Sequence, residues 1–483
     1  GLIRDALMPS LTPSCVKPGM EPLSLHQVAA ACRGDILAGA PDLVVRRVGT
    51  DSRQTEPGDL FVALVGDRHD GHAHIATAVE RGAIAVLGAR SRRIAAPSGC
   101  ALVVVDDTRR ALGELAAAYR SGFDLPVVAV AGSNGKTTTK DLIAAVLSER
   151  YASLSSEGNY NNDIGVPLTL LRVERRHQVA VVEAGTNHPG ELALLLGQIQ
   201  PTHGVLTSLG REHLEFFGNL GGVVDEEGWL AELLPASGTL YVNGDSPGIE
   251  DVVARTRAAV VRAGWGANAD WQATGLDTDA DGMRFGVRAP RPDCSGTYRI
   301  RAWGRHQVVN ALLGLAVGAD FGLTRAQMQA GLDAFRLPRM RLQLSEWRGI
   351  SVLEDCYNAN EDSMTAALDT LRAMPCPGRR LAVLGDMAEL GGHAAEAHRE
   401  VGRRSAGVVD QLIAVGRMAP VMARAARDAG LRDVVECEDA SAAASALAGA
   451  VRAGDLVLVK ASRATRLEGV IEGLKAAWAG GGT

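Results

Sequence analysis

The chain has 483 residues, which at roughly 100–200 residues per domain predicts three domains. Fifty basic residues against 56 acidic ones leave a formal charge of −6, and aromatics make up only 4%. That balance argues against a nucleic-acid-binding face and against aromatic stacking platforms, so no nucleic-acid partner is expected. An apolar share of 46% excludes wholesale disorder.

Seven cysteines (Cys15, Cys32, Cys100, Cys294, Cys356, Cys376, Cys437) form no C-x-x-C pair, and their number is odd. Neither a disulfide framework nor a zinc site is expected, and a reducing cytoplasm fits. No run of about 18 apolar residues occurs, so no membrane span is expected. Residues 1–22 carry Pro9, Pro13, Pro18 and Pro22 and lack a signal-peptide core. They read as a flexible extension.

From Leu23 the pattern alternates helix and strand. Leu25–Cys32 has helical apolar spacing. Asp59–Val65, Ala83–Leu87 and Leu102–Val105 are short apolar runs, and Thr108–Tyr119 is helical again. This order predicts an α/β layer architecture over residues 23–124. A break at Gly122–Pro126 precedes the strand Val127–Val130.

The second block, 125–337, contains further buried-strand runs at Val179–Val182, Gly204–Thr207 and Thr239–Val242. Their near-continuous apolar character predicts a parallel sheet covered on both faces. Residues 265–303 alternate loosely among Asp and Gly, which predicts antiparallel hairpins. A helix is expected at Val308–Phe321, and Phe335–Arg341 reads as a linker.

The third block, 338–483, is a cleaner strand–helix series. Leu381–Leu384, Leu412–Val415 and Leu456–Val459 each precede a helix: His393–Ser405, Met418–Ala429 and Arg466–Trp478. An open doubly wound sheet follows, with ligands outside the carboxyl ends of its strands. Ala440–Ala450 is an Ala-rich helix.

The strongest chemical signal is Val127-Val-Ala-Val-Ala-Gly-Ser-Asn-Gly-Lys-Thr-Thr-Thr139. A strand enters a glycine turn and a helix begins at the threonines. Gly132 and Gly135 let backbone N–H groups curl round phosphates, with Ser133, Asn134 and Thr138 in the same turn. The helix N-terminus favours an anion. Lys136 would reach the β/γ-phosphates, and the Thr137 hydroxyl would ligate Mg²⁺. Val130 stands where the general phosphate-loop pattern has glycine, so the entry turn belongs to a variant class.

Glu183 ends the run Val179-Ala-Val-Val-Glu. It is either a Mg²⁺ ligand beside the phosphate loop or a strand-end carboxylate facing water. His213, in Gly210-Arg-Glu-His-Leu-Glu-Phe-Phe217, is a site histidine or a surface one. Asn310 follows His306 by one helical turn and marks either a site or a solvated face.

These residues resemble the Mur ligase family from Met20 to about residue 475. Thr50-Asp-Ser-Arg53, Pro57-Gly-Asp-Leu-Phe-Val-Ala-Leu64 and Asp70-Gly-His72 look like its amino-terminal uridine-nucleotide domain. Ala131-Gly-Ser-Asn-Gly-Lys-Thr-Thr-Thr-Lys140 looks like its phosphate loop, which accounts for Val130. Four further stretches are similar to the member that adds D-alanyl-D-alanine: Gly158-Asn-Tyr-Asn-Asn-Asp-Ile-Gly-Val-Pro167, Asn187-His-Pro-Gly190, Tyr357-Asn-Ala-Asn360 with Ser363-Met364, and Leu384-Gly-Asp-Met-Ala-Glu-Leu-Gly391.

The resemblance implies a small α/β uridine-nucleotide domain, a central P-loop sheet and a Rossmann-like carboxyl-terminal domain. It implies ATP and Mg²⁺, a monomer, and amide formation between UDP-N-acetylmuramoyl tripeptide and D-alanyl-D-alanine through an acyl phosphate. Thr137 and Glu183 would hold one metal, and His213 would help hold a second. Asn310, Arg341 and Asp355 would meet the nucleotide. Ser52, Arg53 and Asp70 would serve the uridine part, Asn161 and Asn162 the sugar–peptide part, and Asn358 and Asn360 the amine side.

Three departures are mild: Glu183-Ala184-Gly185, His306-Gln307 and Lys460-Ala-Ser-Arg463. The larger one is Asp225-Glu-Glu-Gly228, where the family has a carbamylated lysine; no lysine occurs between Asp141 and Val459. Glu227, or Glu226 if the register slips, would supply that anion, or the position is a solvent-facing carboxylate. The competing readings are a same-group ligase with another acceptor, a P-loop switch, and a nucleotide-regulated binding protein.

Overall fold

The computed structural model describes residues 19–66 and 69–479. Most of the amino-terminal extension therefore lies outside the described residues. Its last part does not: Met20 is buried and its N–H donates to Arg46 O at 3.0 Å.

Two compact units are present. The first runs to Phe123 and also takes in Pro167–Arg176. Its five-stranded sheet has the order Asp35–Ala38, Ala101–Val105, Ala85–Ala89, Asp59–Val62, Arg47–Gly49. Only the Asp35–Ala38 edge is antiparallel. The helix Thr108–Ser121 is capped by Asp107, whose carboxylate accepts from Arg109 N and Arg110 N. Its Tyr119 hydroxyl donates to Val173 O at 2.5 Å and accepts from Glu21 N at 2.7 Å. Arg175 N–H donates to Glu21 Oε1 at 2.8 Å. These bonds hold Pro167–Arg176 in the first unit, so the expected block 125–337 is interrupted there.

The second unit carries two sheets. The nine-stranded one has His203–Leu206, Val127–Ala131 and Val179–Glu183 side by side and parallel. Every residue of Val127–Ala131 is buried, the pattern of a strand covered on both faces. The helices Lys136–Ser148 and Arg305–Asp320 cover one face, through Leu142, Ile143, Val146 and Leu147 against Leu312 and Leu315. Each such side chain contributes on the order of 1.5–3 kcal/mol by leaving water. The hairpins expected in 265–303 are there: Trp271–Asp279, Gly282–Arg288 and Gly296–Ile300 pair antiparallel.

The six-stranded sheet has the order Gln343–Trp347, Ile350–Asp355, Leu456–Lys460, Arg380–Gly385, Gln411–Val415, Asp433–Cys437. Alternate residues feed opposite cores. Leu381 and Val383 join Leu447 and Leu474, while Ala382 and Leu384 join Leu368 and Met422. Helices therefore cover both faces, the doubly wound arrangement expected. The edge strand Asp433–Cys437 was not foreseen; its mixed burial hides the apolar run.

Candidate active site

The phosphate loop joins Val127–Ala131 to Lys136–Ser148. Gly132 and Gly135 adopt φ of 119° and 85°, in the region that favours glycine. A Cβ on Gly132 would lie 2.5 Å from Thr207 Oγ1, and one on Gly135 2.9 Å from Asn310 Oδ1. The segment 207–210 braces the loop. Ser133 N and Asn134 N donate to Ser208, each at 2.9 Å, and Thr207 Oγ1 donates to Asn134 O at 2.7 Å. Ser133 and Asn134 thus have their backbone N–H groups engaged. The first turn of the helix, from Lys136 through Thr138, remains as the place where N–H groups have no intrahelical acceptor.

Lys136 Nζ donates to Gly132 O at 2.5 Å and Ser133 O at 3.2 Å, and lies 3.7 Å from Glu212 Oε2. The Thr137 hydroxyl donates to Glu183 Oε1 at 3.1 Å. Asn161 Nδ2 donates to the same oxygen at 2.8 Å, and Glu183 N–H donates to Ser156 Oγ at 3.1 Å. Glu183 is 1% exposed, which removes the water-facing alternative. Its Oε2 makes no hydrogen bond to protein. Arg341 Nη2 donates to Thr137 Oγ1 at 3.2 Å, while its guanidinium sits 4.1 Å over the Tyr357 ring.

Glu226 and Glu227 differ sharply. Glu226 accepts from Thr186 Oγ1, Gly190 N and Leu192 N at 2.9, 2.7 and 2.8 Å, so it ties down the start of the helix Glu191–Ile199. Glu227 is 1% exposed and its Oε2 has no partner, so it does not face solvent. Burial pushes its carboxyl up to about 8; Lys136 pulls back down, and Glu212 and Glu226 push it further up. Glu212 is also buried, and burial raises its carboxyl against the pull of Lys136 and His213. Reading the sequence missed Glu212, although its place next to His213 was a usable signal. His213 has a left-handed backbone, φ 46°, and is largely buried; its Nδ1 lies 2.5 Å from Glu389 Oε2.

Asn310 lies against Gly135, and its Nδ2 donates to Gln307 Oε1 at 2.9 Å. It is buried rather than on a solvated face. Asn360 caps the helix Glu361–Ala373 through Ser363 N, and its Nδ2 donates to Asn134 Oδ1 at 3.0 Å. Asp355 pairs with the buried Lys460 at 2.6 Å, and Lys460 Nζ also donates to Asn358 O at 2.9 Å. Asn162 Oδ1 accepts from Ile164 N and Gly165 N, a local turn.

In the first unit, Ser52 is buried in a short helical turn capped by Asp51, and the exposed Arg53 pairs with Asp51 at 2.9 Å. Asp70 caps Gly71–His74, and lies 2.6 Å from His72 Nδ1 and 2.9 Å from Arg92.

Among the described residues no three His, Cys, Asp or Glu side chains form a ready metal cage. The donor set still suits Mg²⁺, which takes one or two carboxylates plus phosphate and water oxygens. Glu183 Oε2 and Glu227 Oε2 are buried carboxylate oxygens with no protein donor.

Three family models match: the Mur ligase family catalytic domain over 44–120, the Mur ligase middle domain over 130–318, and the Mur ligase glutamate ligase domain over 339–463. The chain is 36% identical to the UDP-N-acetylmuramoyl-tripeptide–D-alanyl-D-alanine ligase of Escherichia coli over 94% of this chain and 98% of that one. It is 34% identical to that of Bacillus subtilis over 89% and 93%. Its fold superposes on MurF from Acinetobacter baumannii with a TM-score of 0.86 at 28% identity, covering 95% and 100% of the chains. MurF from Thermotoga maritima in complex with ADP gives 0.78 at 27%, covering 89% and 97%. With its glycine-turned phosphate loop and the buried Thr137–Glu183 pair beside it, the chain belongs to the Mur ligase family.

Proposed function

We propose that the chain is an ATP-dependent ligase that joins UDP-N-acetylmuramoyl tripeptide to D-alanyl-D-alanine in peptidoglycan precursor synthesis. The observation that carries this is the grouping of Lys136, Thr137 and Glu183 at one glycine turn, in a chain similar over nearly its whole length to such ligases. A tripeptide carboxylate oxygen attacks the γ-phosphorus of ATP, giving an acyl phosphate and ADP. The amine of D-alanyl-D-alanine then attacks the acyl carbon, an amide forms, and phosphate leaves.

Transfer of this kind needs positioning and positive charge more than covalent chemistry from the protein. Lys136 supplies charge at the γ-phosphoryl oxygens. The turn from Gly132 to Gly135 shapes the loop, and the first-turn N–H groups of Lys136 through Thr138 meet the phosphates. Asn310 and Asp355 take the nucleoside side, with Arg341 beside Thr137. Thr137 and Glu183 would hold one Mg²⁺, and His213 and Glu227 a second. Such ions, when bound, neutralise the charge spread over the phosphoryl oxygens. Asn161 keeps Glu183 aimed while it and Asn162 border the acyl substrate; Asn358 and Asn360 border the amine, and Ser52, Arg53 and Asp70 serve the uridine part.

Each role falls to a residue of one chain, so a monomer suffices. Among the described residues no helix is long and apolar enough to cross a membrane. The test is phosphate release in the presence of ATP and Mg²⁺. It should require both UDP-muramoyl tripeptide and D-alanyl-D-alanine; release without them would indicate a hydrolytic switch instead.

A further inference from the structure

Lys140 stands one turn beyond Lys136 on the helix Lys136–Ser148, and its side chain is 1% exposed. Lysines are almost never buried so completely unless their charge is matched. Here Nζ donates to Ser156 O at 2.7 Å and Gly158 O at 3.4 Å, and lies 2.7 Å from Asp141 Oδ1. An apolar side chain of similar volume would fill the place without desolvating a charge, so a buried pair is weak evidence for stability. Its placement is the informative part.

Ser156 and Gly158 lie where the chain leaves the edge strand Ser153–Ser155. Ser156 N donates to Val181 O at 3.1 Å, and its hydroxyl receives Glu183 N. Five residues on, Asn161 returns to the same strand end: Asn161 Nδ2 reaches Glu183 Oε1, and Asn161 O accepts from Gly185 N at 2.8 Å. The helix that carries Lys136 and Thr137 is thus bonded through Lys140 to the loop that carries Asn161 and Asn162.

We propose that Lys140 is a positioning residue that fixes loop 156–162 to the phosphate-binding helix, so that nucleotide and UDP-muramoyl peptide each favour binding of the other. The substrate assignment rests on the reading above; the mechanical link does not. Such a coupling is reciprocal, since each ligand must change the affinity for the other by the same factor.

The experiment compares the full-length wild type with Lys140→Met and Lys140→Arg. In Lys140→Met, kcat/KM for UDP-muramoyl tripeptide should fall about tenfold, equivalent to about 1.4 kcal/mol. ADP affinity should change less than about threefold, and the factor by which ADP tightens tripeptide binding should approach one. Lys140→Arg should recover part of each loss. Equal losses in ADP and tripeptide affinity would make Lys140 a mere support of the helix and overturn the proposal. A lowered melting temperature with unchanged kinetics would overturn it too. Hydrogen exchange of the wild-type protein needs neither a folded variant nor turnover: ADP should slow exchange of the 156–162 amides together with those of the phosphate loop. Unchanged exchange at 156–162 would refute the link, whereas failure of phosphate release with intact exchange coupling would refute only the substrate reading.

Discussion

Arg211 grips Asp362 with three hydrogen bonds: its backbone N–H donates to Asp362 Oδ2 at 2.7 Å, and its Nη2 and Nε donate to Asp362 Oδ1 at 2.8 and 3.3 Å. Nη1 lies 2.9 Å from Glu361 Oε1. Both acids open the helix Glu361–Ala373, where negative charge suits the helix dipole. One residue before Arg211, Gly210 exchanges hydrogen bonds with the Ser133 side chain. The helix start and the phosphate loop are therefore braced by one segment.

Arg211→Ala should reveal that brace. Partly exposed ion pairs contribute about 0–1 kcal/mol, so the melting temperature should move by only a few degrees. ADP affinity, read by calorimetry, should fall several-fold, because Ser133 and Asn134 lean on 208–210. Raising salt should weaken ADP binding more in the wild type than in the variant, since part of the clamp is screened. An unchanged ADP affinity would remove this role.

Lys136→Ala should abolish most turnover while the fold persists. Losing one charged transition-state contact costs on the order of 10²–10³ in rate. The variant also leaves Glu212 and Glu227 buried without their cation. Both carboxyls sit above their usual range, so they are uncharged at low pH and costly to ionise at high pH. The variant's loss in melting temperature should therefore be larger near pH 8.5 than near pH 6. Near-normal turnover would contradict the assignment of Lys136.

His306 offers a test of the buried cluster beside Asp355. Burial pushes its pKa down to about 4, against the pull of Asp355 and with help from Lys460. The folded pKa lies below the unfolded value of 6.5, so the unfolded chain takes up the proton first. Stability should fall as pH drops from about 6.5 towards 4. Melts of wild type and His306→Gln across that window should differ in slope, with the variant flatter. Parallel slopes would place the acid sensitivity elsewhere.

The strand–helix alternation made the sheets legible, because runs such as Val127–Ala131 and Leu456–Val459 are apolar and buried throughout and leave no polar residue to blur the pattern. The phosphate loop was legible because its glycines, lysine and threonine must fall in that order. Pro167–Arg176 was not: its place in the first unit depends on Tyr119 and Glu21, far away in sequence. Glu183 and Asn310 could be read as exposed until burial was known. The same holds for the neighbours Glu226 and Glu227, which no local pattern separates; hydrogen-bond partners do.

Those partners decide the last prediction. The family resemblance puts a carbamylated lysine at Glu227, where CO₂ would convert an amine into an anion. A glutamate, once deprotonated, offers two anionic oxygens without CO₂, the hard donors Mg²⁺ prefers. Glu226 cannot take that part without giving up Thr186, Gly190 and Leu192. Glu227 can, because its buried Oε2 has no other partner. Its side chain is shorter than a carbamylated lysine, so a bridging water would complete the reach. Glu227→Ala should lower turnover about 10²-fold, as for loss of other preorganised charge, while ADP affinity stays within a few-fold. Glu226→Ala should instead lower the melting temperature, since it strips three donors of their acceptor. Wild-type activity should be the same in CO₂-free buffer and with added bicarbonate. Activity that disappears without CO₂ and returns with bicarbonate, or a Glu227→Ala enzyme with normal turnover, would rule out glutamate as the built-in anion.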